Sequence, residues 1–259
     1  MQPRGDSPAL SLRGLFKAYG RTLAVDGLDL DVPRGSFFGL VGPNGAGKTT
    51  TLSMATGLLR PDAGAAHVLG HDVWSDTVHA KTLVGVLPDG LRLFDRLTGL
   101  QLIGYTGLLR GMDRAVVTDR AHELLGALGL ADAGGLLVVD YSAGMTKKIA
   151  LACALIHAPR LLVLDEPFES VDPVSASNIV QILEGYAASG GTVIMSSHVM
   201  DLVQRLCDRV AIVAAGRIRA VGTLDEVRGG LTLEERFVDL VGGQIDIGEG
   251  LAWLRTSSD

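Results

Sequence analysis

Residues 42–49 read GPNGAGKT and are followed by Thr50. This run confines the chain to folds in which a buried strand feeds a glycine-rich turn and then a helix. The apolar, β-favouring stretch Ser36 to Val41 in front and the helix-compatible Lys48 to Thr56 behind supply that context. Glycines at 42, 45 and 47 let the backbone wrap closely, so that successive N–H groups converge on phosphate oxygens at a helix N-terminus. The whole run, Gly42, Pro43, Asn44, Gly45, Ala46, Gly47, Lys48, Thr49 and Thr50, is therefore read as a cradle for a nucleotide's phosphates. Lys48 is expected to reach the terminal phosphates and Thr49 to bind Mg²⁺.

The remaining composition narrows the class. A chain of 259 residues has room for one large domain or a core with a subdomain. Its net charge of −6 argues against a protein that coats nucleic acid or an anionic membrane, so no nucleic-acid partner is expected. Cys153 and Cys207 lack metal-ligand spacing, and the start of the chain shows no charged n-region or apolar h-region, which points to a reduced, cytoplasmic protein. Mean hydropathy is positive, at +0.31. The longest apolar run is Ile149 to Ile156, far short of the roughly 20 residues that span a bilayer, so the hydrophobicity belongs in a packed α/β core or under a partner.

Along the chain, residues 10–16 and the alternating 23–32 read as strands of an antiparallel β element ahead of the nucleotide core. Short apolar strands are expected at 67–70 and 84–88, and helical patterning over Thr98 to Leu137, with an amphipathic stretch from Arg114 to Leu130. The pattern then returns to a sheet: a strand at 161–165, a helix over Ser175 to Ala188, and strands at 192–197, 209–216 and 217–222. Continuous apolar strands of this kind suit a parallel sheet covered on both faces. A helix around Leu233 to Val241 precedes a polar tail, residues 244–259, whose tip is expected to be mobile.

Two further motifs carry chemistry. LLVLDE sets Asp165 and Glu166 at the end of a buried strand, where α/β sheets meet their ligands. Asp165 suits a water-mediated hold on Mg²⁺, and Glu166 suits orienting and deprotonating an attacking water. YSAGM at 141–145 leads into a helix beginning near Met145, with Ser142 a plausible N-cap. A lone histidine, His198, follows the strand TVIMSS.

With these motifs in this order, the chain resembles the ATP-binding cassette family, the nucleotide-binding subunits of ABC transporters, from about Leu10 to Gly243. The resemblance matches the signature, usually LSGGQ, to YSAGM, the switch histidine to His198, and the adenine-stacking aromatic to Tyr19. It implies ATP and Mg²⁺ as ligands and two cassettes facing head to tail. Each ATP then lies between one subunit's Gly42 to Thr50 and the other's Ser142, Gly144 and Met145. It also places Asp172 at the dimer interface and gives Glu166, His198 and Lys48 the catalytic roles.

The chain departs from the family pattern at several positions. Asp89 stands where the family has a glutamine that touches Mg²⁺ or water, and is expected to keep a metal and coupling role. Tyr141, Ala143 and Met145 alter the signature in a way familiar from cassettes that serve exporter-type permeases. PFESVDP replaces the usual PTSGLDP and leaves Phe168 and Glu169 without a role.

The fold expected is α/β: a P-loop nucleotide core with a mixed or parallel sheet, an N-terminal antiparallel β subdomain and a helical subdomain inserted over about 90–158. A single ATP-binding domain would span 8–243. The function expected is an ATP-hydrolysing subunit that dimerises on ATP and drives a separate transmembrane permease, for export, at the inner face of the membrane. The alternatives are a soluble cassette ATPase acting on a cytoplasmic assembly, and a non-hydrolysing ATP-dependent binding module.

Overall fold

A computed structural model describes residues 7–90 and 92–242 of the chain. The tail expected at 244–259 lies outside the described residues. The chain begins with β1 (Leu10–Tyr19), β2 (Thr22–Val32) and β3 (Phe37–Val41), then α1 (Lys48–Ala55), β4 (Ala63–Val68), β5 (His71–Asp72), α2 (Thr77–Leu83) and β6 (Val84–Leu87). The helices α3 (Gly99–Leu109), α4 (Arg114–Ala127) and α5 (Ala143–Leu155) follow, with short 3₁₀ turns at Ala131–Ala133 and Val138–Asp140. The sheet resumes with β7 (Leu161–Leu164), α6 (Pro173–Ala188), β8 (Thr192–Ser197), α7 (Met200–Leu206), β9 (Arg209–Ala214) and β10 (Arg217–Thr223), before α8 (Leu224–Arg228) and α9 (Leu233–Val241).

Two sheets result. One is antiparallel, in the order β2-β1-β4-β5; the other runs β10-β9-β3-β8-β7-β6, parallel except for β10. Strand β3 explains how they join. All five of its residues are buried, and because alternate side chains point to opposite faces, Phe38 and Leu40 pack into the core shared with the antiparallel sheet. Phe37 and Val41 instead enter the core that holds α5, α6 and α7. Each fully buried side chain of this size contributes about 1.5–3 kcal/mol by leaving water. Gly39, on the second face, admits α7: a Cβ there would lie 2.8 Å from Val203 Cγ1.

The parallel register decides where function can sit. Val41 pairs with Ser197, Leu164 with Met195 and Leu87 with Leu164, so β3, β6, β7 and β8 all end at one edge of the sheet. Gly42, Asp89, Asp165, Glu166 and His198 leave the sheet at or just beyond that edge, where open α/β sheets place their ligands.

The elements follow the sequence pattern with some differences. The strand expected at 67–70 is β4, which begins at Ala63 and ends at Val68, because the small residues 63–66 pair with β1 and a left-handed Leu69–Gly70 turn stops it. The signature helix begins at Ala143 rather than Met145, and α6 at Pro173 rather than Ser175, a proline at the first helical position being compatible with its missing N–H. The helical stretch expected over 98–137 breaks into α3 and α4 with a turn at Gly111, whose φ is +75°. Helices α2, α7 and α8 had no counterpart in the sequence pattern. Among the described residues no helix is long and apolar enough to cross a membrane.

Candidate nucleotide site

The glycine loop is built by close approach to β2. Gly47, with φ of +100°, carries no Cβ because one would collide with the carbonyl oxygen of Ala24, and Gly42 is held likewise against Val213 O. Gly216 N donates to Ala46 O at 3.0 Å, and Asp26 N donates to Gly216 O at 3.0 Å, so β2 and the β9–β10 turn brace the loop together. Helix α1 then starts directly at Lys48 with no side-chain cap, which leaves its first N–H groups and the positive dipole end facing outward.

Lys48 is buried. Its ammonium donates to Gly42 O at 2.7 Å and Pro43 O at 3.3 Å and lies 3.8 Å from Glu166 Oε1. Glu166 follows β7 with φ of +47°, a left-handed conformation uncommon outside glycine and costly by about 1–3 kcal/mol. That conformation turns its carboxylate between two partners, Lys48 and His198, whose Nδ1 lies 3.0 Å from Glu166 Oε2.

Asp165 is buried at 3% exposure, and its backbone N–H donates to Leu87 O at 2.8 Å. Ser196, fully buried on β8, ties the pair together: its hydroxyl donates to Asp165 Oδ1 at 2.5 Å and accepts from Glu166 N at 2.9 Å. Within TVIMSS nothing distinguishes Ser196 from any other strand serine, so the sequence alone does not single it out.

Lys48, Glu166 and His198 face one cleft of about 590 Å³, whereas Asp165 and Ser196 are buried and do not line it. Its walls include the loop from Pro43 to Thr50, Tyr19 and Thr22 at the β1–β2 hairpin, and Asp89, Glu166, Glu169 and His198. Tyr19 is half exposed, and the Lys17 ammonium sits 5.8 Å from its ring centre. Asp89 is exposed, and one carboxylate oxygen accepts from Gly90 N at 2.8 Å. Glu169, left without a role by the sequence, belongs to the cleft wall, whereas Phe168 packs against the core.

The structure separates the remaining candidates from this cleft. Ser142 caps α5, accepting from Met145 N at 3.3 Å, and Met145 leans on the core. Asp172 caps α6 through Val174 N and Ser175 N, and contacts from Ser175, side chain then backbone, hold its carboxyl below the ordinary range. Gly144 faces Ser170 and Asp172 of the same chain, about 4 Å from each for an added Cβ. None of Ser142, Gly144, Met145 or Asp172 lines the cleft. Tyr141 has a structural account: it is buried, its hydroxyl donates to Ala133 O at 2.8 Å, and only a glycine at 99 leaves room for it.

Cys153 and Cys207 are free thiols away from the cleft, and burial pushes both up, Cys153 to about 11.

The donor set fits a magnesium nucleotide. Thr49, Asp89 and Asp165 offer only hard oxygen atoms, the ligands Mg²⁺ prefers, and the bare α1 N-terminus with Lys48 offers the positive charge that a polyphosphate needs.

Comparison with known proteins agrees with this geometry. Residues 25–169 match the family described as ABC transporter. The chain is 40% identical over 223 residues to the daunorubicin/doxorubicin resistance ATP-binding protein DrrA of Streptomyces peucetius, covering 86% of this chain and 68% of that one. It is 36% identical to the linearmycin resistance ATP-binding protein LnrL of Bacillus subtilis, covering 83% and 69%. Among solved structures, the ATP binding subunit of an ABC transporter superposes with a TM-score of 0.84 at 28% identity, over 90% of this chain and 99% of that one. A phosphate cradle, a strand-end Asp-Glu pair and a facing histidine on one sheet edge, together with these relatives, make the chain a member of the ABC transporter family, an ATP-binding and ATP-hydrolysing cassette.

Proposed function

We propose that this cassette hydrolyses Mg²⁺-ATP at an interface between two copies arranged head to tail, and so drives a separate membrane permease of the exporter type from the inner face of the cell membrane. The observation that carries the proposal is the division of the site. The cleft holds the loop, Glu166 and His198, while Ser142 and Gly144 stand outside it with a capped helix N-terminus exposed. A second copy brings that N-terminus to the far side of the terminal phosphate, so ATP itself joins the subunits. Relatives named for resistance to daunorubicin and linearmycin support export as the direction.

In the reaction, a water oxygen bonds to the γ-phosphorus as the bond to the β–γ bridging oxygen breaks, giving ADP and phosphate. Glu166 takes the water's proton, and His198, hydrogen-bonded to Glu166, holds it in line. Lys48 moves from the loop carbonyls to the phosphate oxygens and balances the charge that develops there. Tyr19 stacks on the adenine. Thr49, Asp165 and Asp89 would hold Mg²⁺, which when bound would screen the phosphate oxygens. Asp172 sits where the second copy approaches.

The permease docks at the groove of about 510 Å³ between α3 and α4, lined by Leu100, Tyr105, Leu108 and Val117. Phe94 stands edge-on to Tyr105 at 5.7 Å beside it, and both are exposed. In purified protein, Lys48→Ala should abolish ATP hydrolysis; turnover retained by that variant overturns the hydrolytic reading. With the cognate permease in vesicles, Tyr105→Glu should leave the free cassette's ATPase intact and stop transport. Normal transport by Tyr105→Glu would move the docking site elsewhere.

A further inference from the structure

Among the described residues away from the nucleotide cleft, a polar cluster joins β5 to the first turn of α2. Asp76 occupies the N-cap position of α2, where an aspartate ordinarily accepts from the helix N–H groups. Asp113 and Asp172 do so at α4 and α6, but Asp76 makes no such bond. Its two oxygens turn instead to two imidazoles, Oδ2 to His71 Nδ1 at 2.6 Å and Oδ1 to His79 Nδ1 at 2.8 Å. Those two rings, with centres 5.4 Å apart, hold the Asp76 carboxyl below its ordinary range.

The donor atoms of His71, Asp76 and His79 all lie within 4.8 Å of one another. Two imidazole nitrogens and one carboxylate form the three-protein-ligand set of open zinc sites. At zinc–ligand distances of about 2.0–2.1 Å, the edge of a tetrahedron is roughly 3.3 Å. The observed 2.6 and 2.8 Å contacts, made to the two oxygens of the one carboxylate, therefore need to widen by about 0.5–0.7 Å to admit the ion. Two imidazoles also disfavour Mg²⁺ and Ca²⁺, which take oxygen. His79 is largely exposed, leaving the fourth position to water.

The segment leading to the cluster is already folded for the purpose. Asp72 Oδ1 accepts from Trp74 N and Ser75 N, and Asp76 N donates to Asp72 O at 2.9 Å, so the turn between His71 and Asp76 has one shape.

We propose that His71, Asp76 and His79 bind one Zn²⁺ ion, which clips β5 to α2. Helix α2 runs without a break into β6, and β6 ends two residues before Asp89. The clip therefore stiffens the segment that delivers Asp89 to the nucleotide cleft.

The test is a ZnCl₂ titration of the full-length chain without nucleotide, followed by calorimetry and by thermal unfolding. Wild type should bind one equivalent at this site and gain melting temperature. His71→Ala and His79→Ala should each weaken that equivalent by at least about ten-fold and remove the thermal gain. Both variants should retain wild-type ATP hydrolysis in the absence of zinc, which reports that they fold. Two outcomes overturn the site: no saturable zinc binding by wild type, leaving a hydrogen-bonded triad only, or undiminished binding by the His71→Ala/His79→Ala double variant, which would put the ion elsewhere.

Discussion

Nδ1 of His198 lies 3.0 Å from Oε2 of Glu166, although the two residues leave different strands. The parallel register of β7 and β8 brings them together, and the left-handed backbone at Glu166 aims its carboxylate at the imidazole. If the histidine holds the base and the attacking water in line, His198→Ala should lower kcat by about 10²-fold or more with little change in KM for ATP. A variant that loses affinity and keeps kcat would assign His198 to nucleotide binding instead.

Ser196 positions both acids without touching substrate. Replacing it by alanine removes the buried donor to Asp165 Oδ1 and the acceptor for the half-buried Glu166 N. Ser196→Ala should cost about 1–3 kcal/mol of stability in urea unfolding, because a buried acceptor and a half-buried donor lose their partner. It should also lower kcat more than it raises KM, since Glu166 is freed from its strained conformation. Unchanged kcat would show that the hydroxyl serves packing alone.

Gly47 has no substitute. Gly47→Ala forces a Cβ onto Ala24 O at φ of +100°, so the loop must move away from β2. ATP binding measured by fluorescent-nucleotide titration should be lost, with stability reduced by about 1–3 kcal/mol or more. Gly45→Ala meets no atom within 4 Å despite its positive φ and should be the milder of the two.

His157, packed at the end of α5 beneath β6, makes a pH prediction. Its Nε2–H donates to Val84 O at 3.0 Å, Nδ1 is buried without a partner, and burial, with Arg110 adding to it, lowers the ring to about 4. An unfolded chain binds this proton near 6.5 while the folded one does not. Between those values the unfolded state holds more protons, so stability rises with pH. The contribution is complete above about 6.5 and is lost as pH falls toward 4. His157→Gln should flatten the fall in melting temperature between pH 6.5 and 5; an unchanged slope would place the acid sensitivity elsewhere.

The loop, Asp165 and Glu166 were legible in the sequence because phosphate chemistry fixes residue types at short spacing and a buried strand announces itself by continuous apolar residues. Ser196 was not, since only strand register sets it beside Asp165. Helices α2 and α7 are seven residues each, too short to show a period, and α8 is shorter still. Strand β4 hides in alanines and a glycine whose pairing with β1, and not their propensity, makes them extended. Tyr141 reads in the sequence only as part of an exporter-type signature, but its side chain is buried against Gly99 and Ala133, so this departure concerns how α5 is seated on α3.

The central claim is that each chain carries half of two sites. Light scattering after gel filtration of the Glu166→Gln variant with Mg²⁺-ATP measures it directly. The account predicts a mass twice the 27.1 kDa of the chain, reverting to the single mass when Ser142→Arg is added while ATP still binds each monomer. A Glu166→Gln protein that stays at 27.1 kDa with saturating ATP, or a dimer indifferent to Ser142→Arg, would contradict it.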